Sequence, residues 1–78
     1  MNGNGRLHAV GLTWGGLAVT LDEATGGLRP GEVLEVRTDD PGAKMEILFW
    51  CNLIRHAFVG SGKGDGYTRY FIRKEILP

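Results

Sequence analysis

In the segment VLEVR, residues 33–37, apolar and charged side chains alternate from Leu34 to Arg37. This period of two predicts a β-strand with Leu34 and Val36 on one face and Glu35 and Arg37 on the other. A strand with one apolar face must pack that face against another layer of structure. The rest of the chain must therefore supply a layer that covers Leu34 and Val36.

Helical patterns lie on both sides of this strand. The segment before it, which begins at Gly16, carries apolar residues spaced by four, three and four positions, as one face of a helix requires. These residues are Leu17, Leu21, Ala24 and Leu28. A second helix is predicted from about Gly42 to Arg55, because Asp39 and Asp40 precede it and carboxylates suit the positive end of a helix.

Three further strands are predicted outside the helices. The first contains Leu7, Ala9 and Val10 and ends at Gly11, and the other two cover residues 57–61 and 67–73, joined by the hairpin loop GSGKGDG. The resulting order is βαβαββ, in which the βαβ unit makes a parallel strand pair and the final hairpin an antiparallel one. We therefore predict an α+β fold, namely a two-layer α/β sandwich with a mixed four-stranded sheet and two helices on one face.

The same patterns set the expected boundaries of the domain. Residues 1–6, which begin MNGNG, are expected to form a flexible tail. Residues 7–78 are expected to form a single domain, since a chain of 78 residues is long enough for one small core only.

Composition excludes several classes of protein. Nine basic and nine acidic side chains give a formal net charge of zero, which argues against a protein that mainly coats nucleic acid or an anionic membrane. The single cysteine, Cys51, excludes an internal disulfide and favours a reducing compartment. With only His8 and His56 as histidines, we expect no metal and no other cofactor. No segment has the apolar length of a signal peptide or a membrane span, so we expect a cytoplasmic location.

Three segments together resemble a known protein family. They are RPGEVLEVRTDDPGAKMEI at residues 29–47, WCNLIRHAFV at residues 50–59 and YTRYFIRK at residues 67–74. In these segments the chain resembles the TusA/SirA family of small sulfur-carrier proteins, and the similarity extends over about residues 7–75. The resemblance implies the same βαβαββ sandwich and a role in passing sulfur between proteins.

Members of that family carry sulfur on a cysteine in a Gly-Leu-Arg-Cys-Pro-x-Pro segment at the start of the first helix. The positive end of the helix favours the thiolate, which is the reactive form. The matching segment here is GLTWGGL, in which Trp14 stands at the cysteine position and Thr13 at the arginine position. Gly15 and Leu17 replace the two prolines. Because an indole cannot hold a transferable sulfur, the resemblance implies a family member without carrier chemistry at this turn, and we expect no enzymatic activity.

Cys51 is the one remaining sulfur nucleophile, and it defines the alternative hypothesis of an active persulfide carrier. It shares the predicted inward stripe of the second helix with Ile47, Leu48 and Ile54, where a free cysteine behaves as a small buried hydrophobe. Burial would also raise the pKa of the thiol and leave it inert. We therefore expect Cys51 to have a structural role.

The second helix carries more apolar residues than one inward stripe needs. Met45, Phe49 and Leu53 are predicted on its outward side, where an apolar patch marks an interface. Trp14 occupies a position that relatives expose to partners, and tryptophan is enriched at binding hot spots; the alternative is that Trp14 covers the mouth of the core. We predict that these four residues bind a protein partner, either a sulfur-relay component or a second copy of the chain.

A third hypothesis uses the basic residues near the hairpin. Arg69 and Arg73 lie on one face of the last strand and could contact RNA, with Tyr70 or Phe71 stacking on a base. Zero net charge argues against this hypothesis. We favour a non-catalytic protein-binding or scaffold module linked to sulfur trafficking over a carrier at Cys51 and over an RNA-binding module.

Overall fold

Four strands and two helices follow one another in the predicted order βαβαββ. The computed structural model describes residues 4–11 and 16–75. The elements are β1 (Gly5–His8), α1 (Gly16–Gly26), β2 (Val33–Thr38), α2 (Ala43–Ile54), β3 (Ala57–Lys63) and β4 (Thr68–Arg73).

The strands form one sheet in the order β1-β2-β4-β3. β1 runs parallel to β2, as a strand-helix-strand connection allows, and Gly5 lies opposite Leu34. β4 lies between β2 and β3 and is antiparallel to both. An irregularity between Phe58 and Gly60 shifts the pairing register of β3 against β4. The prediction of a mixed four-stranded sheet is confirmed.

Both helices pack against one face of the sheet. Leu34 and Val36 on β2 and Ile72 on β4 are at most 1% exposed, because alternation along each strand directs them to the same side. They form the core together with buried residues of the helices, which are Leu17, Leu21, Ala43, Ile47, Trp50 and Cys51. The two helices thus cover the apolar face of β2, as the alternation of its side chains predicts. The two-layer arrangement is confirmed.

The inward face of α2 differs from the prediction at one position. Leu48, which was expected to face the sheet, is 36% exposed, whereas Trp50 is only 5% exposed. Trp50 Nε1 donates a hydrogen bond to Asp22 Oδ1 on α1 at 2.9 Å. The indole buries more apolar surface than leucine would, and its N–H needs an acceptor that only the neighbouring helix supplies. This hydrogen bond links the two helices above the sheet.

The first strand begins and ends earlier than predicted. Gly5 and Arg6, which the sequence assigns to a flexible tail, belong to β1, and the strand ends at His8. The backbone amide of Asn4 donates to the carbonyl of Val33 at 2.6 Å, and Asn4 Oδ1 accepts from the amide of Val33 at 2.8 Å. Hydrogen bonds to β2 hold this segment in the sheet. Residues 4–6 have no apolar side chains, so the hydrophobic pattern of the sequence does not indicate a strand there.

The glycine-rich loop between the last two strands is a hairpin, as predicted. β3 runs on to Lys63, past its predicted end at residue 61, because pairing with β4 continues as far as Thr68. The amide of Gly64 donates to the carbonyl of Tyr67 at 2.9 Å and closes the turn. Gly66 has a φ of +80°, a conformation that glycine adopts without steric cost.

Local hydrogen bonds define both ends of α2. Asp40 Oδ1 accepts from the amide of Gly42 at 2.9 Å, and the Asp40 carbonyl accepts from the amide of Ala43 at 3.0 Å. At the other end Arg55 adopts the left-handed conformation with a φ of 68°, and the amide of His56 donates to the carbonyl of Cys51 at 3.0 Å. The helix therefore stops abruptly and turns the chain into β3.

Lys74 connects the end of β4 to the end of α1. Its Nζ donates to the carbonyl oxygens of Thr25 at 2.8 Å and Leu28 at 2.7 Å. Carbonyl groups at a helix C-terminus lack partners within the helix, and a positive charge is favourable there. Lys74 therefore acts as a distant cap for α1.

Replacing Asp22 with alanine tests the link between the helices. Asp22→Ala leaves the buried Trp50 N–H without its acceptor, and we expect the free energy of unfolding to fall by about 1–2 kcal/mol. Urea unfolding followed by tryptophan fluorescence measures this change. The matched control is Glu23→Ala, an exposed neighbour on α1, which should change the stability much less. Equal losses in the two variants would contradict a specific role for the Trp50–Asp22 hydrogen bond.

Candidate functional site

The turn after β1 is where the sequence places Trp14. The amide of Gly11 donates to Asp39 Oδ1 at 2.9 Å, which joins this turn to the turn before α2. Asp39 therefore binds the neighbouring loop, and Asp40 alone bonds to the start of α2. Residues 12–15, which include Trp14, lie outside the described residues, so a binding role for Trp14 stays a prediction.

Cys51 lies on the inward face of α2 and is 3% exposed. Desolvation by the surrounding apolar residues raises the pKa of its thiol to about 11. At neutral pH nearly all of this thiol is protonated, and only the thiolate is a nucleophile. The position of Cys51 is that of a small core residue.

The outward face of α2 is apolar over most of its length. We define the α2 patch as Met45, Leu48, Phe49 and Leu53, which are 70%, 36%, 66% and 66% exposed. Met45, Phe49 and Leu53 follow one another at intervals of four residues and therefore lie along one stripe of the helix. The structure thus brings together the three helical residues of the predicted interface, and Leu48 is added to them.

His56 lies directly after α2 in a buried position. Its Nδ1 accepts a hydrogen bond from the amide of Glu75 at 3.2 Å, and its ring centroid lies 5.6 Å from that of Trp50. Burial lowers the pKa of His56, and the charge of Lys74 lowers it further, while Glu75 and Asp22 act in the opposite direction. The folded chain therefore favours the neutral imidazole.

The face of the sheet opposite the helices carries a cluster of charged residues around Glu35. Glu35 is 3% exposed, and its Oε2 lies 2.6 Å from Arg37 Nε and 3.7 Å from Arg6 Nε. The hydrogen bond from Arg37 is the main cause of the lowered pKa of Glu35, and the charges of Arg6 and Arg69 add to it against the effect of burial. Glu35 is thus held as a carboxylate.

Arg69 and Arg73, the residues of the RNA hypothesis, have different surroundings. Arg73 Nη2 pairs with Glu75 Oε1 at 2.8 Å, whereas the guanidinium of Arg69 lies 5.8 Å from the ring centroid of Phe71. Phe71 and Tyr70 are only 5% and 8% exposed. Neither ring therefore offers a free face on which a base could stack.

Shallow clefts border the hairpin end of the sheet. The larger has a volume of about 390 Å³ and is lined by Lys44, Ser61, Gly62, Lys63, Thr68 and Tyr70. A second cleft of about 300 Å³ lies beside the hairpin turn. Their lining contains no nucleophile paired with a base, so neither has the composition of a catalytic centre.

In residues 4–11 and 16–75, no group of three or more histidine, cysteine, aspartate or glutamate side chains could hold a metal ion. Neither helix is both long and apolar enough to cross a membrane.

Comparison with known proteins shows the family of the chain. The family model described as Sulfurtransferase TusA matches residues 18–74. The chain belongs to the TusA family. The match covers most of α1 and all of β2, α2, β3 and β4, and it begins four residues after Trp14 in the sequence. The resemblance noted in the sequence is therefore confirmed for the family, while the assignment of Trp14 to the carrier position rests on the sequence alone.

A solved structure shares the fold of this TusA-family chain. The crystal structure of a SirA-like protein from Desulfitobacterium hafniense matches it with a TM-score of 0.72, over 92% of this chain and 99% of that chain. The two sequences are 16% identical, so the match shows a common fold and nothing finer. Among the curated proteins, none matches the chain.

Sequence reasoning reaches most of the cluster around Glu35. Alternation along the strands predicts Glu35, Arg37, Arg69 and Arg73 on the face opposite the helices, with ion pairs between neighbouring strands. Arg6 is the member that was missed, because it was assigned to the tail. Only the pairing of β1 with β2 brings Arg6 to the carboxylate of Glu35.

The buried position of His56 predicts a pH-dependent stability for this TusA-family domain. The pKa of His56 is below its ordinary value of 6.5 in the folded chain, so the unfolded chain takes up the proton first as pH falls. The free energy of unfolding should therefore be fully retained above about pH 6.5 and should decrease as pH falls through the folded pKa. Chemical unfolding between about pH 7.5 and about pH 5, a range that includes the ordinary histidine pKa of 6.5, measures the slope.

His56→Asn is the matched variant for this measurement. Its side-chain oxygen can accept the hydrogen bond from the Glu75 amide, but the side chain does not titrate. The variant should lose most of the pH dependence in this range while the exposed His8 remains in both proteins. An unchanged slope in the variant would show that His56 is not the titrating group.

Proposed function

We propose that this TusA-family chain is a non-catalytic module that binds a protein partner in sulfur trafficking and does not itself carry the sulfur. The observation that carries the proposal is the burial of Cys51, the one cysteine in the chain. A carrier must expose its sulfur to a donor and then to an acceptor, and a buried thiol with a pKa of about 11 meets neither requirement. A cytoplasmic location, where a lone thiol stays reduced, is part of this proposal.

The sequence at the start of α1 supports the same proposal. Trp14 stands where the family resemblance puts the carrier cysteine, and Gly15 and Leu17 stand in place of the prolines. An indole has no atom that can form a persulfide. The change extends over the whole segment, since the arginine position is also altered, to Thr13.

Loading sulfur on Cys51 would require the core to open. Ile47 and Trp50 share the inward face of α2 with Cys51, and they are 0% and 5% exposed. Each large apolar side chain contributes about 1.5–3 kcal/mol through its burial, so moving α2 away from the sheet costs several such contributions. This cost argues against the alternative in which Cys51 is the working carrier.

The α2 patch supports a protein-binding role, and a second copy of the chain is the occupant that it fits best. Phe49 lies midway between Met45 and Leu53, so an antiparallel pair of α2 helices would place Phe49 against Phe49 and Met45 against Leu53. A self-complementary stripe of this kind is what a two-fold interface requires. The formal net charge of zero removes long-range repulsion between copies.

The decisive test of the missing carrier chemistry is sulfur loading. Incubation of the protein with a cysteine desulfurase and cysteine, followed by intact-mass measurement under non-reducing conditions, should give an unchanged mass. The physical reason is that no thiol is accessible to receive the sulfur. A known persulfide-accepting protein in the same reaction confirms that the desulfurase is active.

Cys51→Ser separates the outcomes of that experiment. If the natural chain gains the mass of one sulfur atom and Cys51→Ser does not, Cys51 is a working carrier and the proposal is wrong. Trp14→Cys is a second informative variant, because it places a thiol at the position that the family resemblance identifies. If Trp14→Cys gains the mass of one sulfur atom and the natural chain does not, the segment around residue 14 still allows loading by the desulfurase.

Self-association through the α2 patch is tested by size-exclusion chromatography with light scattering. We expect the mass of the natural chain to rise from monomer towards dimer with increasing concentration, and Phe49→Glu to remain monomeric. A buried glutamate at the centre of the interface would cost about 2 kcal/mol or more, so dimerisation should weaken by more than tenfold.

Val19→Glu is the control for that substitution. Val19 is 59% exposed and lies on α1. The substitution therefore also replaces an exposed apolar side chain with a glutamate, but it does so outside the α2 patch. This variant should dimerise as the natural chain does, and both variants should unfold at nearly the natural temperature. A natural chain that stays monomeric at high concentration would exclude the second copy as the occupant of the patch.

A further inference from the structure

A row of basic residues crosses the open face of the sheet. His8 on β1 lies opposite Arg37 on β2, and Arg37 lies opposite Arg69 on β4. Side chains that face each other on neighbouring strands have Cβ atoms about 5 Å apart, and like charges in that position repel. In these three residues, the basic row, the two arginines place permanent positive charges side by side at a free-energy cost.

Glu35 balances only part of this charge. It contacts Arg37 and Arg6 at 2.6 and 3.7 Å, and the charge of Arg69 also acts on it. Three guanidinium groups thus surround one carboxylate, and three positive charges less one negative charge leave an excess of two. Glu75, the acid nearest to the end of β4, is paired with Arg73.

Arg69 is the least satisfied member of the cluster. Its Nε is buried and has no hydrogen-bond partner among the described residues. Its guanidinium extends over Gly62 on β3. If Gly62 carried a side chain, the Cβ atom would lie 3.4 Å from Arg69 Nη2. A Cβ added at Gly60, on the same strand, would meet no described atom within 4 Å, so the space above the sheet is open there.

The aromatic residues of this face favour a single anion over a nucleic-acid strand. The guanidinium of Arg37 lies 5.3 Å from the ring centroid of Tyr67, and Arg69 covers Phe71 in the same way. Single-stranded nucleic acids bind by stacking bases on exposed rings along an extended basic groove. Here the cations occupy the rings, and the excess charge is confined to one cluster.

We infer that the open face of the sheet binds a doubly charged oxyanion of the phosphate or sulfate class through the guanidinium groups of Arg37 and Arg69. A guanidinium presents several N–H donors in a fixed plane, which suits the oxygens of such an anion. The anion would neutralise the local excess and relieve the repulsion between the two arginines. This site lies on the opposite side of the sheet from the α2 patch and does not depend on partner binding there.

Anion titration followed by ¹⁵N NMR tests this inference. Inorganic sulfate, inorganic phosphate and O-phosphoserine are each added at constant ionic strength, with chloride as the balancing ion. We expect saturable shifts of the β2 and β4 amides and of the Arg69 Nε–H signal. Tight binding of O-phosphoserine would indicate that the site accepts a phosphate monoester, and binding of the inorganic ions alone would indicate a site for the free oxyanion.

Two variants locate the site. Arg69→Gln removes one of the two proposed ligands and should weaken binding about tenfold or more, as expected for the loss of a charge-assisted contact. Arg73→Gln removes an equal charge from the same strand, but Arg73 is already paired with Glu75, so binding should change less than about twofold. Thermal unfolding checks folding, and added phosphate should stabilise the natural chain and Arg73→Gln but not Arg69→Gln.

Three outcomes would overturn the inference. The first is the absence of saturable shifts with all three anions. The second is an equal loss of binding in Arg69→Gln and Arg73→Gln, which would indicate general electrostatic attraction without a site. The third is binding of a single-stranded RNA oligomer that strengthens with its length while the small anions fail to compete, which would indicate a nucleic-acid surface.

Discussion

The covering of one face of the sheet by both helices is the constraint on which the rest of the structure depends. Leu34, Val36 and Ile72 form the covered face, and the helices must turn their apolar sides toward it. The hydrogen bond from Trp50 to Asp22 then fixes the helices relative to each other. In a chain of 78 residues the core is small, so each of these contacts is a substantial part of the total stability.

This constraint also determines what the lone thiol can do. Cys51 belongs to the face of α2 that covers the sheet, and the burial that stabilises the fold makes its thiol a poor nucleophile. The chain belongs to the TusA family, and it keeps the TusA fold with its one thiol inside the core.

The two surfaces that the core leaves free differ in chemistry. The outward side of α2 is apolar and lies on the helical layer, whereas the basic row lies on the uncovered face of the sheet. One surface suits burial against another protein, and the other suits a small anion. A two-layer domain has two outer sides, and in this chain the two sides have different chemical character.

Local periodicity in the sequence determined the element order, the two-layer architecture and the outward position of Met45, Phe49 and Leu53, because side-chain direction follows directly from the period of a helix or strand. The family resemblance came from the same segments. Tertiary structure alone decided that Leu48 faces outward, that residues 5 and 6 join the sheet, and that Arg6 contacts Glu35. These features depend on which helices and strands become neighbours in the fold. A contact between residues far apart in the sequence produces no local sequence pattern, so it cannot be predicted from periodicity.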